Sequence, residues 1–238
     1  MAMVPTAPQL LWAKLPDIEG RTDDLLAALP EDERARAGRF RIADARGRFV
    51  LGRTLLRRTL GELLAVPGES LALAVDDRGK PRLAERDAQR SLHFNLSHSG
   101  RVVALAVAAV PVGVDVEALR EVANVERLAR RFFSPAEAAA VLAAAGGDRG
   151  RIFLRTWTRK EAYLKATGLG IGIALREVET EPDPHRPPRL LAVAGDRTEA
   201  ARWSLVEVEL PQAVGTVAVL GGAPGIVVRR VTPEALAG

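Results

Sequence analysis

The sequence predicts an α+β protein built as two halves, and three observations predict it. Apolar residues recur at three- and four-residue spacing over Ala43–Leu64 and again between Val125 and Thr167, the period of amphipathic helices. Runs such as Val102–Val110 and Trp203–Leu210 have instead the short, valine-rich character of strands. Pro111 with Gly113 interrupts the pattern near the middle, so residues 1–111 and 112–238 are expected as the two halves, each mixing helices with strands. The chain has 238 residues, 47% of them hydrophobic, which is enough to bury a core and excludes disorder as its main state.

Element by element, Gln9–Leu15 has the apolar density of a first strand, and Asp23–Leu29 reads as a short helix stopped by Pro30. Ala43–Leu64 is the longest early helix, with Phe49, Val50, Leu55, Leu56, Leu60, Leu63 and Leu64 on one face and the arginines largely on the other. Val66-Pro67-Gly68 ends it, and Leu71–Val75 is a short strand before the turn Asp76-Asp77-Arg78-Gly79. Leu92–Leu96, Val102–Val110 and Val112–Val116 follow as strands. After Glu117 the period turns helical, first over Val125–Phe132. A second helix opens at Ser134-Pro135, where Glu137 three residues after the serine completes a capping box. Its alanine-rich run to Ala145 is expected to be helical because alanine is the best helix former, and Gly146-Gly147 is expected to stop it. Arg151–Thr167 is a third helix closed by Gly168. Leu190–Val193, Trp203–Leu210, Gly215–Leu220 and Ile226–Val228 read as strands, and Glu181–Pro188, with four prolines, as a surface loop.

Composition removes whole classes of function. There is no cysteine, so disulfide scaffolds, thiolate metal sites, catalytic thiols and iron–sulfur clusters are excluded, and any metal must sit on oxygen or imidazole. No apolar run reaches the roughly 18 to 20 residues that span a bilayer, and Met1–Trp12 lacks a charged start before a hydrophobic stretch; a cytoplasmic protein without a membrane partner is expected. Aromatics are only 4%, too few for a base-stacking platform. The net charge of +4 is unevenly placed: Glu31–Leu60 holds nine arginines against four acids, so the rest of the chain is about neutral. Basic charge confined to one segment, with few aromatics, argues against nucleic acid as the partner.

Three segments carry chemistry. In Gly113-Val114-Asp115-Val116-Glu117 the strand period turns Asp115 and Glu117 to one side and Val114 and Val116 to the core. At an effective dielectric of about 20, two such charges about 4 Å apart repel by roughly 4 kcal/mol, so a packed site would need a cation. Taken alone, the pentapeptide fits better as a polar strand end facing water. On Trp157–Lys165 the helical period lines up Trp157, Glu161 and Lys165, which alone reads as an aromatic anchor beside an ordinary Glu-to-Lys pair. His93–Gly100 is an apolar strand that breaks into a polar turn. Adjacent Ser97 and His98 do not make a nucleophile and base, and no Gly-x-Ser-x-Gly elbow is present. Hydroxyl, imidazole and turn amides can instead hold a phosphate. His185, among prolines, reads as a loop residue.

Together and in this order, the segments resemble the Sfp-type 4′-phosphopantetheinyl transferases. That family's Phe-Asn-x-Ser-His-Ser turn stands here as Phe94–Ser99, its Gly-x-Asp-x-Glu as Gly113–Glu117, its Phe-Phe-Ser-x-x-Glu as Phe132–Ser134 with Glu137, and its Trp-x-x-Lys-Glu-Ala-x-x-Lys-x-x-Gly as Trp157–Gly168. Arg78-Gly79-Lys80-Pro81 resembles the family's Gly-Lys-Pro turn, and Pro30–Arg53 its basic entry helix. The resemblance covers most of residues 30–170.

The resemblance implies two similar α+β halves about a pseudo-twofold axis, with coenzyme A in the cleft between them. It implies transfer of the phosphopantetheine arm to a serine of an apo acyl, polyketide or peptidyl carrier, with release of 3′,5′-ADP. Asp115, Glu117 and Glu161 would hold Mg²⁺ or Mn²⁺ at the pyrophosphate, as hard cations prefer oxygen. Lys165 would face the pyrophosphate, while Lys80, Ser97 and His98 would hold the nucleotide end and 3′-phosphate, helped by Arg36 and Arg48. Asp115, Glu161 and Lys165 would form the catalytic set, with either Glu161, if one oxygen stays off the metal, or a metal-bound water as the base. One departure stands out: Glu33 occupies a position where the family often has a further lysine. The length, about twice that of the small trimeric class, implies a monomer. A non-catalytic coenzyme A or carrier-binding module is the second reading, and the intact acidic set argues against it.

Overall fold

The computed structural model describes residues 5–75, 81–84, 92–169, 175–222 and 225–237. The chain forms two compact units, Met1–Ala109 with Ile226–Gly238, and Val110–Gly225. Both mix helices with largely antiparallel sheet, as expected for the α+β class. Among the described residues no helix is long and apolar enough to cross a membrane.

In the first unit β1 (Gln9–Lys14) is followed by α1 (Thr22–Ala27), α2 (Glu31–Ala37) and α3 (Ala43–Leu64). A ribbon of β2 (Leu73–Val75) and β3 (Pro81–Leu83) precedes the hairpin of β4 (His93–Ser99) and β5 (Val102–Ala108). Every residue of β5 is apolar and buried, the pattern of a central strand, and it pairs antiparallel with β1 on one side and β4 on the other. Val50, Leu51, Leu55, Leu56, Leu60 and Leu64 of α3 join Leu11, Ala13, Val103, Leu105 and Val107 in one buried cluster.

Three expectations change here. Pro30–Arg53 is two helices rather than one basic entry helix: Gly38 closes α2, and Ile42 is extended immediately before α3. The arginines of α3 do not all lie on its outer face, because Arg53 and Arg57 are buried. The last residues do not stay with the second half: Val227–Arg230 pairs parallel with β1, and Val231 and Leu236 enter the first unit's core. A strand edge left open on β1 is what draws them back.

The second unit contains β6 (Val112–Ala118), α4 (Val125–Phe132), α5 (Pro135–Ala143), α6 (Gly146–Thr167), β7 (Val178–Thr180), β8 (Leu190–Val193), α7 (Arg197–Ala201), β9 (Trp203–Leu210) and β10 (Ala213–Leu220). β6, β10 and β9 form an antiparallel sheet in that order, with Asp115 opposite Thr216 and Thr216 opposite Glu207. The predicted capping box is present: Ser134 accepts from the Glu137 amide, and Glu137 from the Ser134 amide. Phe132, Phe133, Phe153 and Trp157 pack α4 and α6 together through edge and stacked ring contacts.

Gly146-Gly147 does not stop α5 but begins α6. The break falls earlier, at Ala144 and Ala145, which are extended with ψ of 146° and 149°. No glycine is needed there because the side chain of Arg149 turns back and donates to the carbonyls of Leu142 and Ala144, satisfying acceptors that α5 leaves open.

Candidate active site

The carboxylate-bearing strand and the helix of the lysine motif lie directly against each other, and one glycine permits it. A Cβ at Gly113 would fall 2.1 Å from the carbonyl oxygen of Ala162 and 2.4 Å from the amide nitrogen of Ala166. α6 therefore rests its own backbone on β6 at this point, which only glycine allows. The strand period then turns Asp115 and Glu117 to the same face as Gly113, under the helix.

The acids therefore do not face water, as the pentapeptide alone suggested. Asp115 is 5% exposed and Glu117 half-buried, while Val114 and Val116 on the opposite face are buried as well. Lys165 Nζ lies 2.6 Å from Asp115 Oδ1. Glu161, one helical turn earlier, is 6% exposed, and its Oε1 is buried without a hydrogen-bond partner among the described residues. Burial pushes its carboxyl above the usual carboxylate range, the charges of Asp115 and Glu117 push it further, and Lys165 opposes them. Glu117 is held by Arg120 at 2.8 Å. The structure thus brings together Asp115, Glu161 and Lys165, with Glu117 within electrostatic range. Trp157, one turn before Glu161 on the same unbroken helix, is the aromatic anchor of the stripe and packs on Phe132 and Phe153.

Along the rest of α6 the interface with the sheet is also polar. Arg155 and Arg159 both hold Glu207, Arg159 at 2.7 Å, and Thr158 shares a 2.9 Å hydrogen bond with Thr216. Arg151 pairs with Glu209 nearer the surface. The sequence reading missed this ladder, although arginines at 151, 155 and 159 against alternating Glu207 and Glu209 were its signal.

Carboxylate oxygens of Asp115, Glu117 and Glu161 are the hard donor type that a divalent ion such as Mg²⁺ or Mn²⁺ would take. Among the described residues no three acidic or imidazole groups stand together as a metal site; Asp115 carries Lys165 and Glu117 carries Arg120.

In the first unit the strand β4 continues through Ser99, so Ser97 and His98 are strand residues and not part of a turn. They consequently face opposite ways: Ser97 is buried and His98 exposed. Arg48 of α3 donates to the Gly100 carbonyl at 3.0 Å, which ties it to the turn that follows His98. Arg36 lies over the ring of Phe49, 5.4 Å from its centroid, and lines a cavity of about 450 Å³ with Asp32, Arg39 and Phe40. Lys80 falls outside the described residues. Glu33 serves no anion: its buried carboxylate takes Arg57 at 2.8 Å and Arg53 at 3.4 Å, and so neutralises arginines that the apolar face of α3 would otherwise bury alone.

The family model described as the 4′-phosphopantetheinyl transferase superfamily matches residues 111–218, and that described as 4′-phosphopantetheinyl transferase, N-terminal, matches residues 18–110. The 4′-phosphopantetheinyl transferase HetI of Nostoc sp. is 41% identical over 214 residues, covering 89% of this chain and 87% of that protein. This chain belongs to the 4′-phosphopantetheinyl transferase superfamily. The transferase is also 39% identical over 145 residues to the 4′-phosphopantetheinyl transferase psf-1 of Bacillus pumilus, covering 60% of each chain. Its identity to the 4′-phosphopantetheinyl transferase Sfp of Bacillus subtilis is 26% over 165 residues, 69% of this chain and 71% of that one.

Within the transferase, the motif residues separate by what they touch. Asp115, Glu161 and Lys165 converge beside Gly113. Glu137 and Lys160, equally part of the motifs, form a wholly buried pair 2.6 Å apart; the sequence reading saw Glu137 as a helix cap and gave Lys160 no role.

Proposed function

We propose that the enzyme transfers the 4′-phosphopantetheine arm of coenzyme A to a serine hydroxyl of an apo carrier protein, releasing 3′,5′-ADP with Mg²⁺ or Mn²⁺ as cofactor. The observation that carries this reading is the packing of Glu161 and Lys165 against Asp115 under one helix, made possible by Gly113. Coenzyme A is a polyanion, and the arginines Arg36 and Arg48 together with His98 supply donors for its nucleotide end and 3′-phosphate. Lys80 completes that set, whereas the hydroxyl of Ser97 points to the other face of β4 from His98. One chain carries both the basic and the acidic groups, in keeping with a monomer acting in the cytoplasm.

Glu161 holds a buried oxygen that accepts no hydrogen bond within the described residues, and burial beside two further carboxylates raises its proton affinity. It takes the serine proton at Oε1. The serine oxygen then bonds to the phosphorus on the pantetheine side of the pyrophosphate. That phosphorus loses its bond to the bridging oxygen, and the electron pair leaves with 3′,5′-ADP. Lys165, one turn beyond Glu161, offsets the charge that gathers on the departing phosphate. A divalent ion on Asp115, Glu117 and Glu161 would add neutralisation of the pyrophosphate.

Incubation with coenzyme A, Mg²⁺ and an apo carrier should give a carrier heavier by one phosphopantetheine group in the mass spectrum. A chelator should stop the reaction and added Mg²⁺ restore it. An unmodified carrier with coenzyme A still bound would replace this reading with a non-catalytic binding module.

A further inference from the structure

Lys160 immediately precedes Glu161 on α6, yet successive residues of a helix point about 100° apart, and the two side chains serve different surroundings. Lys160 is fully buried. Its ammonium has three hydrogens and three acceptors: Glu137 Oε2 at 2.6 Å, the Leu175 carbonyl at 3.0 Å and the Val178 carbonyl at 2.6 Å. The ring of Phe133 lies beneath it, 5.2 Å from Nζ. Glu137 is equally saturated, accepting from the Ser134 amide and from both the amide and hydroxyl of Thr180 at 2.8 Å each. One ion pair therefore fastens the middle of α6 to the start of α5 and to β7.

A buried pair of this kind adds little net stability compared with apolar side chains of the same volume, so its presence calls for another account. The arginine and threonine contacts of α6 with the sheet all fall before residue 160, at 151, 155, 158 and 159. Beyond them the helix meets β6 at the bare backbone of Gly113 and through Lys165 on Asp115, the contact whose geometry the reaction needs. Lys160 supplies a buried polar anchor at that point, to α5 and β7 rather than to the sheet.

We propose that Lys160, held by Glu137, is a positioning residue that sets the rotation of α6 and thereby places Glu161 and Lys165 against Asp115. This rests on the transfer reading above. A displacement of about 1 Å at reacting groups is enough to cost on the order of 100-fold in rate. Binding of coenzyme A through remote arginines would feel it far less.

The test uses the full-length enzyme in two forms, Lys160→Met and the double variant Lys160→Met/Glu137→Gln. The single variant leaves a buried carboxylate without its cation and is expected to lose stability. The double variant removes both charges at once; the single oxygen of the glutamine accepts from either the Ser134 or the Thr180 amide, so some loss of Tm is expected and the assays are run well below the Tm of the variant. In that double variant kcat for carrier modification should fall about 10- to 100-fold, with KM for coenzyme A, and its calorimetric binding without carrier, changed less than about 3-fold. A folded double variant with kcat within 2-fold of the parent overturns the positioning role and leaves the transfer reading standing. A parent enzyme that modifies no carrier overturns the transfer reading, and the positioning role with it. A loss of kcat that vanishes when the assay is cooled well below the variant's Tm reduces the pair to a purely structural one and also overturns the proposal.

Discussion

Replacing Gly113 by alanine tests the packing on which the site depends. The added methyl would sit 2.1 Å from the Ala162 carbonyl oxygen, whereas ordinary contact begins at 3.4 Å, so α6 must retreat by about 1.3 Å or tilt. The obstacle is helix backbone, which cannot rotate away as a side chain would. Overpacking of this size costs about 1–3 kcal/mol, which for a chain of this length lowers Tm by roughly 2–12 °C and leaves the protein folded. The same retreat draws Lys165 and Glu161 from Asp115, and a displacement of this size lowers kcat by on the order of 100-fold. Circular dichroism melts and mass-spectrometric carrier modification read the two effects separately. A Gly113→Ala enzyme with the parent Tm and the parent kcat would refute the close approach of α6 to β6 and the site built on it.

Asp115→Asn keeps the buried shape but deprives Lys165 of its 2.6 Å partner; turnover should fall at least 100-fold while the chain stays folded, and parental turnover at saturating coenzyme A would remove Asp115 from the site. Arg48→Ala and His98→Ala should raise KM for coenzyme A more than they lower kcat, and should barely affect dephospho-coenzyme A; equal losses with both substrates would deny these residues the 3′-phosphate. The Glu207 carboxyl is pushed up by burial but pulled further down by the hydrogen bonds of Arg155 and Arg159, so it sits below its ordinary 4.5. Its contribution to stability is complete above that ordinary value and is lost as pH falls through the lower folded value, so urea midpoints measured from pH 6 downward should lose less in Glu207→Gln than in the parent.

Much of this was legible in the sequence, for identifiable reasons. α3 and α4 have the predicted bounds because their apolar residues keep the helical period unbroken, and α5 has its predicted start because a capping box is a local device. The boundary between α5 and α6 was misplaced because Arg149, five residues beyond the break, caps it, and Gly146-Gly147 made a more conspicuous stop than the alanines before them. Asp115 and Lys165 could be grouped through the family resemblance but not through spacing, since 50 residues separate them and it takes the packing of α6 on β6 at Gly113 to bring them together. Arg57 looked like one more surface arginine because its partner Glu33 lies on a different helix. Period and spacing report what a residue does within its own element; an ion pair between elements shows in them only where both partners repeat in step, as Arg151 and Arg155 do with Glu209 and Glu207.

The return of Val227–Arg230 to β1 and the burial of Leu236 have a consequence for synthesis. Residues 110–225 are an insertion within the first unit, interrupting it between its penultimate and last strands. As the polypeptide leaves the ribosome, the inserted unit has all its strands before the first unit has its own edge strand. The earlier segment must wait, with one side of β1 open, until the final residues emerge. Expressing residues 1–109 alone should therefore give a fragment with an unpaired strand edge and a tendency to aggregate, whereas 110–225 contains its complete sheet.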